Sequence, residues 1–349
     1  MLKPQKLQKG DTVALVSMSA NNIGEQKYAF RFKLIEKRLK ELGLNYIFSA
    51  NALKSREELT NNPKLIFDDI VECFKNKNIK AIIAINGGHN AEQTLKFFLK
   101  NEEIKNVVLS NPKIVLGYSD TTIQHLLFYK WGLQTYYGQN LVCDICEQEE
   151  NMLEFSKKHF EMLFSSKNQT IQKSEIWYHE RPTYGESQNG VAREWEQNTD
   201  YEFIGFNGNV EGELLGGCIE RLDLLLTSTD KTISSVFPKL EKWQDKILFL
   251  ESCEESYSPE KIAEMLKNLE KNGIFNAVKA IIWGRRANNV FSKEMKNIFL
   301  EISNKYKMPV VFNANVGHAS PRIILPYGAR VQLNNTDNKI YILESFAGE

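Results

Sequence analysis

No apolar run in this 349-residue chain approaches the roughly 20 residues that cross a bilayer, so no membrane-spanning segment is expected. The opening residues Met1 to Gly10 scatter charge where a secretory signal needs an apolar core, which points to a cytoplasmic protein. There is no charge excess: 44 basic residues balance 44 acidic ones, and nothing in that balance invites nucleic acid. Cysteine is scarce and odd in number (Cys73, Cys143, Cys146, Cys218 and Cys253), which fits reduced thiols better than a disulfide framework. Cys143 and Cys146 form a lone C-x-x-C without the second pair or the neighbouring histidines of a zinc site. The dinucleotide fingerprint G-x-G-x-x-G is missing as well. The expectation is an enzyme or binding protein that works without metal or cofactor.

What is present is alternation. The buried-type runs 12–17, 44–48, 80–85 and 114–116 predict strands, and amphipathic stretches between them predict helices, the first carrying Phe30, Leu34, Ile35 and Leu39 up to a stop at Gly43. Strand and helix in turn argue for a parallel sheet covered on both faces, with ligands gathering beyond the carboxyl ends of its strands. Residues 167–209 change character: they are polar and carry Trp177, Tyr178, Tyr184, Trp195, Tyr201, Phe203 and Phe206 without periodicity. A loop this long packs either on the body of the protein or on a flat ligand. Beyond it, 210–217, 246–251, 280–283 and 309–312 predict further strands, and 329–333 and 339–343 predict edge strands of a smaller mixed sheet. The expected domains are 1–165, a linker and aromatic loop at 166–208, and 209–349.

Two strand ends stand out. Gly117 breaks the run 114–116, and Ser119 opens a segment with Ile123, Leu126 and Leu127 at helical spacing. A serine at a strand-turn-helix corner has its hydroxyl thrown clear of the sheet beside unpaired amides that can hold an oxyanion. Equally, Ser119 or Asp120 reads as a plain helix N-cap. The pair Gly87-Gly88 ends another strand and lets backbone amides approach a ligand, or simply turns the chain.

Gly117-Tyr118-Ser119-Asp120-Thr121-Thr122, Phe249-Leu250-Glu251 and Asn315-Val316-Gly317-His318 occur together with Asn86-Gly87-Gly88-His89-Asn90 and Gly212-Glu213-Leu214-Leu215-Gly216-Gly217. In this order they resemble the LD-carboxypeptidase family of serine peptidases, and most of all its branch containing the microcin C immunity peptidases. The resemblance implies Ser119 as nucleophile, His318 as general base and Glu251 as the acid that orients it. The amides of Gly88 and Asp120 would form the oxyanion hole. It further implies a Rossmann-like N-terminal domain, a C-terminal mixed α/β domain with a barrel-like sheet, and a homodimer. The chain departs from the family pattern at His89, where tyrosine is common, and at Cys218, where asparagine is common. Glu251 is followed by Ser252-Cys253-Glu254-Glu255-Ser256, closer to the immunity branch, whose long loop lays a tryptophan on a nucleobase. Trp177 is the first choice for that role and Trp195 the second.

The chemistry agrees with those assignments. A serine hydroxyl needs a base within reach, imidazole serves near neutral pH, and a carboxylate fixes its tautomer. Among five histidines, His318 follows a strand end and a glycine, where loops over a sheet hold catalytic groups. A carboxypeptidase must also pair a free carboxylate, and a guanidinium does so bidentately. Arg285, Arg286 and Arg322 are placed for this or are surface charges; Arg285 and Asn90 join Trp177 as substrate-contact candidates. The expected function is serine-type hydrolysis of an amide in a peptidyl or aminoacyl nucleotide. The alternatives are trimming of muropeptides in cell-wall recycling and noncatalytic small-ligand binding on the same scaffold.

Overall fold

The computed structural model describes residues 1–349 except 22, 200 and 254–256. Residue 22, residue 200 within the aromatic segment, and Glu254, Glu255 and Ser256 of the stretch that follows Glu251 therefore lie outside the described residues. The chain forms two compact units, Met1–Ser166 with Arg181–Ala192 and Ala347–Glu349, and Lys167–Glu180 with Arg193–Phe346. Among the described residues no helix is long and apolar enough to cross a membrane.

The first unit is built on parallel strands β1 (Thr12–Val16), β2 (Asn45–Phe48), β3 (Ile79–Ala84), β4 (Ile114–Gly117) and β5 (Tyr136–Tyr137). They lie side by side in the order β5-β4-β3-β1-β2. The central strands read as apolar runs, interrupted in β3 only by the exposed Lys80 near its start, because helices such as Lys64–Lys75 cover them, whereas β2, at the edge, alternates exposed and half-buried positions. β2 and β3 flank β1 on opposite sides, so the direction of strand addition reverses between β1 and β3. At such a switch point the loops leaving the strands diverge and open a crevice. Segment 181–192 belongs to this unit through a buried ion pair, Arg181 to Glu147 at 2.6 Å, and through the Tyr184 carbonyl, which accepts from Arg31 at 2.8 Å.

The second unit contains β6 (Thr170–Ile171), β7 (Ile176–Tyr178), β8 (Trp195–Gln197), β9 (Glu202–Ile204), β10 (Asn209–Cys218), β11 (Lys246–Glu251), β12 (Ala280–Gly284), β13 (Val310–Ala314), β14 (Leu325–Pro326), β15 (Arg330–Asn334) and β16 (Lys339–Ile342). Eight of them form one curled, half-barrel sheet in the order β6-β16-β15-β10-β11-β12-β13-β9. Its middle, β10 to β13, is parallel, with β11 to β13 almost wholly buried; its flanks are antiparallel. The strands expected at the edge of a smaller mixed sheet lie toward one flank of this larger mixed one. Ten-residue β10 is long enough to pair β11 with its last six residues and β15 with its first five. β7 and β8 form a hairpin inside the aromatic segment.

Candidate active site

The predicted residues fall into two groups, one in each unit. In the first, the fully buried β4 ends at Gly117, where a side chain would press on Thr121 and Ala84 at under 3 Å. Two residues on, Ser119 is held at φ 66°, a left-handed conformation uncommon for a residue with a side chain. A non-glycine residue kept there by its surroundings has the strained backbone that a nucleophile elbow requires. The surroundings are specific: the Ser119 amide donates to the Tyr137 hydroxyl at 3.0 Å, and its carbonyl accepts from the Thr122 hydroxyl at 2.7 Å. Tyr118 and Thr121, which precede the turn Ser119–Thr121 and the helix Thr122–Trp131, do not cap them with their side chains. The buried Asp120 carboxylate accepts from the Ala91 amide at 3.0 Å, which ties this corner to the segment after the glycine loop.

That loop, 86–90, passes directly beside Ser119. A Cβ on Gly87 would stand 3.2 Å from Ser119 Oγ. Gly88, at φ 156°, rests against the Ala20 carbonyl, 2.4 Å from where its Cβ would be. Only bare backbone fits both approaches. Asn90, half-buried at φ 72°, starts the turn Ala91–Thr94 without capping it. Beneath the elbow His125 is buried and bridges the Gly117 carbonyl (3.1 Å, from Nε2) and the Thr135 hydroxyl (2.8 Å, at Nδ1). Burial pushes its pKa down to about 3, so it stays neutral; Nε2 carries the hydrogen because a carbonyl can only accept. It props the turn and is no base.

In the second unit β11 delivers Glu251, fully buried, and His318 Nδ1 meets Glu251 Oε2 at 2.7 Å. Gly317 makes this possible: at φ 89°, any side chain there would strike the Glu251 carboxylate at 2.4 Å. Arg322 fixes the loop, donating to the carbonyls of Gly317 and, at 2.6 Å, His318 and to the Ser320 hydroxyl at 3.1 Å. Burial by itself lowers the imidazole pKa. The charge of Glu251 and its hydrogen bond more than offset this, so His318 titrates above its ordinary value.

The other candidates are placed as follows. Arg285 is buried, bonded to Asn198 Oδ1 and stacked 5.5 Å over the Trp177 ring, and burial lowers its pKa to about 10. Trp177 is 3% exposed, with His179 on it as well, whereas Trp195, across the hairpin, is 58% exposed. Cys146 is buried and its thiol pKa is pushed up to about 12, while Cys143 lies 3.5 Å from Asn86 Oδ1. Tyr137, whose hydroxyl accepts from the Ser119 amide, was not singled out from the sequence, and Arg322 holds the carbonyls of its own loop. The signal for Tyr137 was its place in the strand next to β4, one residue before Gly138.

A model of the LD-carboxypeptidase N-terminal domain matches residues 13–138, and one of the LD-carboxypeptidase C-terminal domain matches residues 211–333. The chain belongs to the LD-carboxypeptidase family. It is a serine-type carboxypeptidase or amide hydrolase. It is 26% identical to the microcin C7 self-immunity protein MccF of Escherichia coli, over 97% of this chain and 94% of that protein. It is 28% identical to the probable murein peptide carboxypeptidase of Bacillus subtilis, over 99% and 96%. Among solved structures, an MccF-like protein from Streptococcus pneumoniae in complex with AMP is 33% identical, with a TM-score of 0.89 over 95% of this chain and 98% of that one. Ser119 and the glycine loop lie in the first matched region of this LD-carboxypeptidase, Glu251 and His318 in the second, and both hairpin tryptophans between the two.

Proposed function

We propose that Ser119, His318 and Glu251 act as one triad that cleaves an amide in an aminoacyl or peptidyl nucleotide. The carrying observation is the 2.7 Å bond between His318 Nδ1 and the buried Glu251 carboxylate, which commits Nδ1 to orientation and assigns proton transfer to Nε2. Nε2 takes the Ser119 proton as Oγ attacks the substrate carbonyl, and the amides of Gly88 and Asp120 receive the oxyanion. The imidazolium, stabilised by Glu251, returns the proton to the leaving nitrogen, and water releases the acyl group by the same steps reversed.

Two likenesses support a nucleotide conjugate over a muropeptide: that to the MccF-like protein solved with AMP, and that to the self-immunity protein. An adenine can stack on the exposed Trp195 without rearrangement, while stacking on Trp177 requires the Arg285 guanidinium to leave. The murein peptide relative keeps the second substrate class in play. The resemblance also implies a cytoplasmic homodimer, which sedimentation velocity at micromolar concentration checks.

The test is mass spectrometry of products from aspartyl sulfamoyl adenosine and from a tetrapeptide muropeptide, with wild type and Ser119→Ala. Release of aspartate by wild type alone is the expected result. Turnover of the muropeptide alone overturns the nucleotide reading. Turnover of neither, with no covalent adduct on Ser119, reduces the protein to a binder.

A further inference from the structure

Cys218, Glu220 and Cys253 take no part in the proposed triad, yet their two sulfurs and a carboxylate oxygen all lie within 4.8 Å of one another. Three backbone features bring them together. Cys218 ends β10 directly opposite Glu251 in the parallel register, Glu220 sits in the first turn of the helix Ile219–Thr227, and Cys253 follows Glu251 by two residues. Cys218 and Glu220 are buried and Cys253 is half-buried.

The Glu220 carboxylate accepts from the Cys218 thiol (2.8 Å), the Ser252 hydroxyl (2.6 Å) and the Cys253 amide (3.2 and 3.3 Å). Among the described residues no lysine or arginine pairs with it. A buried carboxylate hydrogen-bonded only by neutral donors, with two thiols at hand, is a ligand set suited to a cation. Two sulfurs select a soft ion over magnesium or calcium.

We propose that Cys218, Glu220 and Cys253 form a binding site for a thiophilic divalent cation such as zinc, with water completing the tetrahedron. Tetrahedral bonds of about 2.0–2.3 Å set ligand atoms roughly 3.3–3.8 Å apart, so atoms already within 4.8 Å close on the ion by small shifts. Binding releases the two thiol protons to solvent, and the Glu220 oxygen that accepted from Cys218 turns to the ion. Because Cys218 adjoins Glu251, an ion seated there competes with His318 for that carboxylate and slows hydrolysis. This inhibitory consequence rests on the triad reading; the binding does not.

The test is titration of the full-length, reduced protein with cobalt(II), followed by displacement with zinc. One equivalent should produce a thiolate-to-cobalt charge-transfer band and the visible spectrum of a tetrahedral centre. Cys253→Ser, at a half-buried position and so compatible with folding even where Cys218→Ser is not, should weaken binding by more than the ~10–100-fold that outer-sphere changes bring. Glu220→Gln should weaken it while keeping the charge-transfer band. Absence of that band, or undiminished band intensity and cobalt affinity in both cysteine variants, overturns the proposal. A normal cobalt spectrum in a protein that hydrolyses neither substrate leaves the metal site standing and removes the triad.

Discussion

Glu251→Gln is the most discriminating single change. Glutamine keeps the volume of this fully buried side chain and its neighbours Gly284 and Gly317, but it removes the negative charge 2.7 Å from His318 Nδ1. It can also present an amide hydrogen to Nδ1, which forces the opposite tautomer. The corresponding Asp→Asn change in a Ser-His-Asp enzyme lowers kcat about 10⁴-fold, equivalent to about 5.4 kcal/mol of transition-state stabilisation, and the same loss is expected here. The pH dependence makes the test sharper. In the wild type the acid limb of kcat/KM should lie above 6.5, because only the neutral imidazole accepts the serine proton and Glu251 raises its pKa. Without that charge burial dominates, and the limb should move below 6.5. Stability follows with a definite sign. A raised folded pKa contributes stability below the unfolded pKa of His318 and loses it as pH rises through the folded value. The stability lost in Glu251→Gln should therefore be larger at pH 5 than at pH 8. The assay is kcat/KM for aspartyl sulfamoyl adenosine across pH 5–9, with urea unfolding at both ends. Activity within about tenfold of wild type, or an acid limb that does not move, would refute the reasoning.

Ser119→Gly should unfold with a free energy about 1 kcal/mol more favourable to the native state than Ser119→Ala, since glycine alone adopts φ 66° without strain, and both should be inactive; thermal melts and turnover decide it. Gly87→Ala places a methyl 3.2 Å from Ser119 Oγ and should lower kcat about 10²-fold, a loss typical of displaced reacting groups, with an unchanged far-ultraviolet spectrum. Glu147→Gln leaves the Arg181 guanidinium buried without its counter-charge, and chemical denaturation should show a loss of about 3–5 kcal/mol.

The elbow was legible because its parts are local. An apolar run, a glycine and a serine before a helical period describe a strand, a turn and a helix within fifteen residues. Glu251 was legible for the same reason, as the last residue of an apolar strand whose bounds, Lys246–Glu251, agree with the reading. The roles of the buried arginines were not. Arg322 and Arg285 looked like carboxylate receptors, but Arg322 holds the carbonyls of its own loop and Arg285 lies between Asn198 and Trp177, partners 87 and 108 positions away in the chain. The aromatic segment misled in a similar way. Its short strands pair with distant ones, β6 with β16 and β9 with β13, so it showed no periodicity of its own.

The sequence by itself determined which stretches are strands and helices, that the central strands are buried on both faces, and which strand ends carry a hydroxyl, a carboxylate and an imidazole. Those properties follow from the order of apolar and polar residues along one element. Tertiary structure decided that His318 leans on Glu251, that Trp195 and not Trp177 faces solvent, and that two cysteines and a glutamate meet beside the end of β11. These depend on strand register and on which distant backbones approach, and periodicity within a single element carries no information about either.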